Sequence, residues 1–201
     1  MKKMMTALAV GVACAFVAPT AFAGEGQGFV AAEVGQSRIK IEGESSTDTS
    51  FAIRGGYMFN NNLGVEGFYG HYYDKSLSAS DSGMTGTLKP TLNAYGVGVV
   101  GKWNLTGEGR SDGLFAKGHL GVMQANAKAS ATLTSGGTTY SGSAKSNSTT
   151  AYVGVGLGYD FNRNVGVSVN YDYFRPKFKI DGIGSSNVTV NTWSLGFEYR
   201  F

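Results

Sequence analysis

The chain has 201 residues, with 17 basic and 14 acidic side chains, 31 glycines and only three prolines. A single cysteine excludes a disulfide within the chain, and a net charge of +3 gives no basis for a nucleic-acid partner. No apolar run beyond the N-terminal segment reaches the roughly 18 residues that a membrane-crossing helix needs.

The N-terminal segment predicts a cleaved export signal. Residues 2–3 are both lysine, residues 4–17 are largely apolar, and Ala21 and Ala23 are small residues at the two positions that a signal peptidase reads. We therefore expect residues 1–23 to be a signal peptide. The one cysteine falls in this segment, so the exported domain is expected to lack thiols.

Residues 24–201 are expected to form one domain of antiparallel β-strands, because apolar and polar residues alternate in them with period two. The predicted strands are 28–41, 49–59, 63–75, 89–103, 114–128, 149–161, 165–179 and 189–201. Tight turns are predicted at 60–62 and 162–164, a longer turn at 105–113, and long polar loops at 42–48, 76–88, 129–148 and 180–188. Short turns at one rim and long loops at the other are typical of bacterial outer-membrane barrels.

Each predicted strand has one apolar face and one sparse, glycine-rich polar face. This pattern favours a barrel with a narrow lumen over a soluble sandwich, whose outer face would carry abundant charge. Aromatic residues are predicted to form two girdles at the membrane interfaces. The girdle near the short turns comprises Tyr57, Phe59, Trp103, Tyr159, Phe161, Tyr199 and Phe201; the other comprises Tyr69, Tyr73, Tyr95, Tyr171, Tyr173 and Trp193.

Three segments resemble a known family: residues 28–35 (GFVAAEVG), residues 62–70 (NLGVEGFYG), and the last three residues, Tyr199, Arg200 and Phe201. The chain is similar to the small eight-stranded barrels that include the OmpA transmembrane domain and the OmpX, Ail and opacity proteins. The resemblance implies an all-β fold, an eight-stranded antiparallel up-and-down transmembrane β-barrel in the outer membrane of a Gram-negative bacterium. It also implies that Phe201 is an assembly signal for the barrel-assembly machinery.

Projection of the strands places nine charged side chains on the lumen face. They are Glu33, Arg54, Glu66, Lys102, Lys117, Asp160, Asp172, Glu198 and Arg200. Charges buried in so narrow an interior must pair, so we favour an internal salt-bridge network. The alternative is a gated path for water or ions, with Glu66 and either Arg54 or Lys102 as switching partners. The resemblance supports this alternative, because OmpA-like barrels place a gate at an inward glutamate after the first tight turn.

Basic side chains are predicted to form a belt above the long-loop girdle. Its members are Arg38, Lys40, Lys75, Lys89, Lys128, Arg175, Lys177 and Lys179. Arginine and lysine are suited donors to lipopolysaccharide phosphates, although ordinary solvated rim charges explain the same pattern. Pro176 is expected to disturb the last run. The loop at 129–148 is predicted to be mobile and exposed, either as a contact surface for a host or phage ligand or as a merely solvating segment.

The two histidines, His71 and His119, show no catalytic or metal-ligand spacing, and we expect each to be an interface or lumen residue. We therefore expect no enzymatic activity, metal or cofactor. The sequence favours a non-enzymatic outer-membrane barrel with a structural or adhesin-like surface-interaction role through its long loops. Outer-membrane lipid, lipopolysaccharide and host or phage surface ligands are the expected partners. The rival function is a narrow pore or gated channel for small solutes or ions.

Overall fold

In the computed structural model, the described residues are 26–41, 44–81, 84–106, 112–135, 138–180 and 184–201. The predicted signal peptide, residues 1–23, lies outside them. All regular structure within these ranges is β-strand. Within the described residues there is no helix that is long and apolar enough to cross a bilayer.

Eight of the ten strands in the described residues form a closed antiparallel ring. The strands are β1 (Gln27–Ile41), β2 (Glu44–Met58), β3 (Leu63–Asp74), β4 (Leu77–Asp81), β5 (Met84–Asn104), β6 (Gly113–Ser135), β7 (Thr138–Asp160), β8 (Val165–Phe174), β9 (Lys177–Ile180) and β10 (Gly184–Arg200). The ring order is β1, β2, β3, β5, β6, β7, β8, β10, and β10 pairs back onto β1. β4 pairs with β5 and β9 pairs with β10. This confirms the predicted eight-stranded barrel.

Alternate residues are divided between the lumen and the outer surface, as period two requires. Leu157 and Leu195 are 63% and 64% exposed on the outside, where lipid would cover them. Their neighbours Gly156 and Ser194 face the lumen and are buried. A Cβ at Gly156 would collide with the side chain of Asn170, so the glycine-rich inner face follows from the narrowness of the barrel.

Aromatic side chains gather at both rims. At the short-turn rim, the rings of Tyr159 and Phe161 meet edge to face with centroids 5.5 Å apart. Toward the other rim, which we call the hairpin rim, Tyr171 and Trp193 lie 4.9 Å apart. Such rings are suited to the two membrane interfaces.

Two predicted long loops are mostly strand. Residues 76–88 contain the β4–β5 hairpin, and residues 129–148 belong to β6 and β7, which extend to Ser135 and Thr138. The interpretation of 129–148 as a mobile loop was wrong, because alanine and leucine alternate there with serine, threonine and lysine and keep the period of a strand. The two shorter predicted loops are also largely strand in their described parts.

Beyond the girdle at the hairpin rim, β4 and the upper parts of β5, β6 and β7 (residues 77–81, 84–93, 124–135 and 138–149) form what we call the projecting sheet. In residues 138–147, β7 is paired with β6 and has no other paired strand among the described residues.

Pro176 interrupts the predicted strand 165–179, as expected. β8 ends at Phe174 and β9 begins at Lys177, because proline has no N–H to donate to a ladder. The carbonyl of Pro176, which is fully buried, accepts from the N–H of Val188 at 3.0 Å.

The barrel interior has two apolar clusters. The upper cluster fills the half toward the hairpin rim and comprises Ile39, Phe68, Tyr72, Leu92, Ala94, Met123, Ala125, Tyr152, Phe174, Phe178, Val188 and Val190. The lower cluster comprises Phe29, Met58 and Val100. The predicted lumen charges lie between and beside these clusters.

Candidate functional site

Arg54 is the centre of the lumen charges. Its guanidinium donates to Glu33 at 3.1 Å, to Glu66 at 3.1 Å and to Asp172 at 3.0 Å, and all four side chains are at most 4% exposed. Its guanidinium carbon also lies 4.8 Å from the ring centroid of Phe68. Three carboxylates from β1, β3 and β8 therefore converge on one side chain of β2.

Other polar side chains complete this upper group. The Tyr152 hydroxyl donates to Glu66 Oε1 at 2.8 Å, and the Asn170 amide donates to Glu33 Oε1 at 3.2 Å. His119 Nε2 lies 2.6 Å from Asp172 Oδ1. The upper group thus connects β1, β2, β3, β6, β7 and β8 by side chains alone.

A second group lies nearer the short-turn rim. Lys102 Nζ is 3.0 Å from Asp160 Oδ1 and 3.1 Å from Glu198 Oε1. Arg200 pairs with the same two carboxylates. Lys102 also lies 3.8 Å from the ring centroid of Phe115.

Lys117 lies between the two groups. It is directly opposite Lys102 in the β5–β6 register, and its Nζ is 3.8 Å from Glu33 Oε1. The structure therefore places all nine predicted lumen charges inside the barrel, and each has an oppositely charged partner.

The described lumen is different below and above the upper group. Below the upper group, a cavity of about 910 Å³ extends to the tight turns and is lined by Lys102, Lys117, Asp160 and Arg200 among others. Above that group, the upper apolar cluster fills the interior. The arrangement can therefore hold water at the short-turn end while charge pairs and aromatic rings obstruct the rest.

Sequence reasoning did not include three members of the upper group in the predicted network of lumen charges. Tyr152, Asn170 and His119 have the same inward parity as their charged neighbours, so the parity that selected Asp172 and Lys117 could have found them. His119 was predicted to be an interface or lumen histidine without a chemical role, and it lies buried in the lumen. His71 differs, since it is half-buried at the barrel side and stacks on Phe51 with centroids 5.3 Å apart.

The predicted basic belt is only partly regular. Arg38, Lys40, Lys89, Lys128, Arg175 and Lys177 are exposed. Lys75 lies in the break between β3 and β4, half-buried, and its Nζ donates to Ser46 Oγ at 3.1 Å. The side chain of Lys179 lies outside the described residues.

Three lysines lie together on the outer face of the projecting sheet. Lys128 of β6 is directly opposite Lys145 of β7, and Lys89 of the neighbouring strand β5 is diagonal to Lys128. We call Lys89, Lys128 and Lys145 the lysine triad. Lys145 was missed because it falls in the segment that was interpreted as a loop. Directly opposed like charges destabilise a sheet slightly unless an anion lies between them.

On its own three strands, the lysine triad has only uncharged neighbours. The described outer-facing residues of β5, β6 and β7 above Tyr95 are otherwise threonine, serine, asparagine and glutamine, without a carboxylate. An exposed acid of β3, Asp74, lies across Thr91 and is diagonal to Lys89. The outer face therefore presents positive charge without a competing partner on those three strands.

The inner face of the projecting sheet is apolar. A concavity of about 560 Å³ is lined by Leu77, Leu88, Leu133 and Tyr140, which are 42% to 64% exposed. Among the described residues, histidine, aspartate and glutamate form no cluster that could hold a metal ion.

Comparisons with known proteins agree with this architecture. The structure of Ail, the attachment invasion locus protein of Yersinia pestis, in complex with the heparin analogue sucrose octasulfate, is 26% identical, with a TM-score of 0.53 over 88% of this chain and 99% of that chain. Neisserial surface protein A is 20% identical, with a TM-score of 0.58 over 87% of this chain and 97% of that chain, and shares the fold. No curated protein matches.

The family assignment comes from a model that covers almost the whole chain. The model of the outer membrane protein beta-barrel domain matches residues 5–201, which confirms the resemblance seen in the sequence. The chain therefore belongs to the outer membrane protein beta-barrel family.

Proposed function

We propose that this protein is a non-enzymatic surface-interaction protein of the outer membrane, which presents the projecting sheet to ligands outside the cell. The observation that carries the proposal is the lysine triad on a sheet that extends past the aromatic girdle. Lys128 lies four residues beyond Gln124, which pairs with Tyr95 of the girdle, so it is about 13 Å farther along the strand.

The chemistry of the lysine triad suits anionic groups such as sulfate and phosphate, to which lysine ammonium groups donate charge-assisted hydrogen bonds. Ail, in the structure compared above, is in complex with a sulfated heparin analogue. By analogy, we assign sulfated glycans on host surfaces as the ligands of this face.

Lipopolysaccharide is the second proposed partner. Arg38 and Lys40 of β1 and Arg175 and Lys177 near β9 are exposed just beyond the girdle at the hairpin rim, where lipid phosphates would lie. We also propose that the protein is exported through a signal peptide at residues 1–23. The barrel-assembly machinery would then insert it, with Phe201 as the signal.

A gated channel is the alternative function. The cavity at the short-turn end supports it, and the Arg54–Glu66 pair at 3.1 Å is the contact whose opening would extend this cavity upward. The upper apolar cluster argues against a channel that is open at rest, because it fills the lumen above the charges.

The test is binding of heparin to the protein refolded in phosphatidylcholine nanodiscs. Replacing Lys89, Lys128 and Lys145 together by glutamine is expected to weaken binding by at least about tenfold. The control replaces Arg38, Lys40 and Arg175 by glutamine, which also removes three exposed charges but elsewhere on the rim. Equal loss in both variants would show that only net charge matters, and the assignment to the projecting sheet would fail.

A second arm separates the glycan from the lipid. Binding of lipopolysaccharide, added to the same nanodiscs, is expected to depend on Arg38 and Lys40. It should be nearly unaffected by replacement of the lysine triad.

The channel alternative is tested by conductance of the wild type and of Glu66→Ala in planar bilayers. Reproducible steps that change in the variant would favour the channel.

A further inference from the structure

Serine and threonine side chains form two rows across the upper part of the projecting sheet, on its outer face. Outer-facing residues of neighbouring strands lie side by side in the register, with the strands about 4.8 Å apart. We call these two rows the hydroxyl rows. The first row, next to the lysine triad, is Ser78, Thr87, Thr132 and Ser141, and the second row, farther from the membrane, is Ser80, Thr85, Thr134 and Thr139.

The hydroxyl rows carry no charge, although they reach the open edge of the sheet. In the segment 138–147 of β7, the one charged side chain is Lys145. An exposed edge strand commonly carries several charged side chains, which keep it from pairing with another chain. The upper part of this edge is therefore polar without being charged, and a ligand that covers it meets hydrogen-bonding groups alone.

Hydrogen bonds between hydroxyl groups orient part of these rows. Thr134 Oγ1 lies 3.1 Å from Thr139 Oγ1, and Ser78 Oγ lies 3.2 Å from Thr87 Oγ1. A hydroxyl group has one donor and two acceptor positions, so each pair keeps one O–H and further lone pairs for a ligand. The hydroxyl groups of sugars have the same donor and acceptor capacity, and the rows are therefore complementary to uncharged sugar units.

The hydroxyl rows and the lysine triad lie on one continuous face. Thr134 is six residues beyond Lys128 on β6, which corresponds to about 20 Å along the strand. Between them, Ser130 and Ser143 lie beside Lys89 in the register. A ligand that follows the strands away from the membrane meets positive charge first and neutral hydroxyl groups afterwards.

We infer that the hydroxyl rows are the second part of the glycan site, and that they bind the uncharged hydroxyl groups of sugar units beyond the sulfates held by the lysine triad. This second contact rests on the proposed function and adds specificity to it. Charge attraction alone does not distinguish one polyanion from another, whereas the hydroxyl rows add hydrogen bonds only for a ligand that carries hydroxyl groups. The face therefore selects a sulfated sugar chain of several units over an anionic polymer without sugars.

The test removes hydroxyl groups of the second row without a change of charge. Thr85→Val, Thr134→Val and Thr139→Val are combined in one variant, because valine keeps the shape and the strand preference of threonine. Thr134 and Thr139 lose their hydroxyl groups together, so neither is left without its partner. The variant is refolded in phosphatidylcholine nanodiscs, as for the heparin measurement.

Binding of a heparin octasaccharide to this variant is expected to weaken by about tenfold, which corresponds to the loss of three modest hydrogen bonds. Binding of a heparin disaccharide should be unchanged, because it is too short to span the lysine triad and the second row. Binding of inorganic polyphosphate should also be unchanged, because it has no sugar hydroxyl groups. Unchanged binding of the octasaccharide, or an equal loss for all three probes, would overturn the inference.

The matched control replaces three threonines on the outer faces of β2 and β10, which do not belong to the projecting sheet. Thr47→Val, Thr49→Val and Thr189→Val remove the same number of hydroxyl groups at the hairpin rim. This variant is expected to bind the octasaccharide like the wild type. A loss equal to that of the second-row variant would show that the position of the hydroxyl groups is irrelevant.

Salt dependence separates the two parts of the site. The attraction of the lysine triad is screened by salt, so the second-row variant is expected to lose affinity with rising NaCl concentration in parallel with the wild type. Replacement of the lysine triad by glutamine should flatten this dependence. If that replacement leaves heparin binding intact, the proposed function fails and the second contact fails with it. If the lysines matter and the second-row threonines do not, the second contact alone is refuted.

Discussion

Arg54 of β2 and Asp172 of β8 are joined by a 3.0 Å ion pair across the lumen, although their strands are three positions apart around the ring. Backbone hydrogen bonds connect only neighbouring strands, so this pair connects parts of the wall that the sheet itself does not. Because Arg54 also binds Glu33 and Glu66, one side chain fixes the relative position of four strands.

Replacing Arg54 by methionine is expected to lower the free energy of unfolding by about 3–5 kcal/mol, because three buried carboxylates lose their shared cation. Urea unfolding of the protein refolded in lipid vesicles measures this change. Arg163→Met is the control, since Arg163 is exposed in a tight turn. A loss of similar size in both variants would show that the network adds no stability of its own.

Glycine at position 154 is required by the same network. A Cβ there would collide with His119 Nε2 and Asp172 Oδ1, and overpacking of this kind costs about 1–3 kcal/mol. Gly154→Ala is therefore expected to unfold at lower urea concentration than the wild type. Gly118→Ala is the control, because a Cβ at Gly118 meets its nearest atom at 3.8 Å; it should leave the midpoint unchanged, and a shift equal to that of Gly154→Ala would contradict the steric explanation.

The sequence was sufficient to predict the barrel, its tight turns and the inward face of each strand, because these depend on period two and on local turn residues. It was insufficient where contacts join strands that are not neighbours. Parity places Arg54 and Asp172 in the lumen, but only the curvature and stagger of the closed barrel bring them within 3.0 Å. Residues 129–148 were misinterpreted for a different reason. Their polar composition led to the prediction of a loop, although the period-two alternation of a strand was present.

Lys128→Glu is expected to have opposite effects on stability and binding. The new carboxylate would lie directly opposite Lys145, and replacing a like-charge pair by an opposite-charge pair should stabilise the sheet by about 0.2–1 kcal/mol. The same change reverses the charge at the centre of the lysine triad, so heparin binding should fall below that of Lys128→Gln. Unfolding and binding measured on one preparation would separate the two effects, and unchanged heparin binding would contradict the proposed ligand face.

We expect Phe201 to have two separable roles. Its backbone N–H donates to the carbonyl of Gly28 at 2.9 Å, and its carbonyl accepts from the N–H of Gly28 at 3.0 Å, so the last residue ties β10 to β1 where the ring closes. Its side chain is 45% exposed and stacks on Tyr199.

Phe201→Ala keeps the backbone contacts, and we expect it to refold in vesicles like the wild type but to reach the outer membrane of cells in smaller amounts. Deletion of Phe201 should impair both, because the contacts with Gly28 are also lost. Equal cellular levels of Phe201→Ala and wild type would mean that the aromatic ring is no assembly signal in this chain, and the backbone closure would then be the whole contribution of the residue.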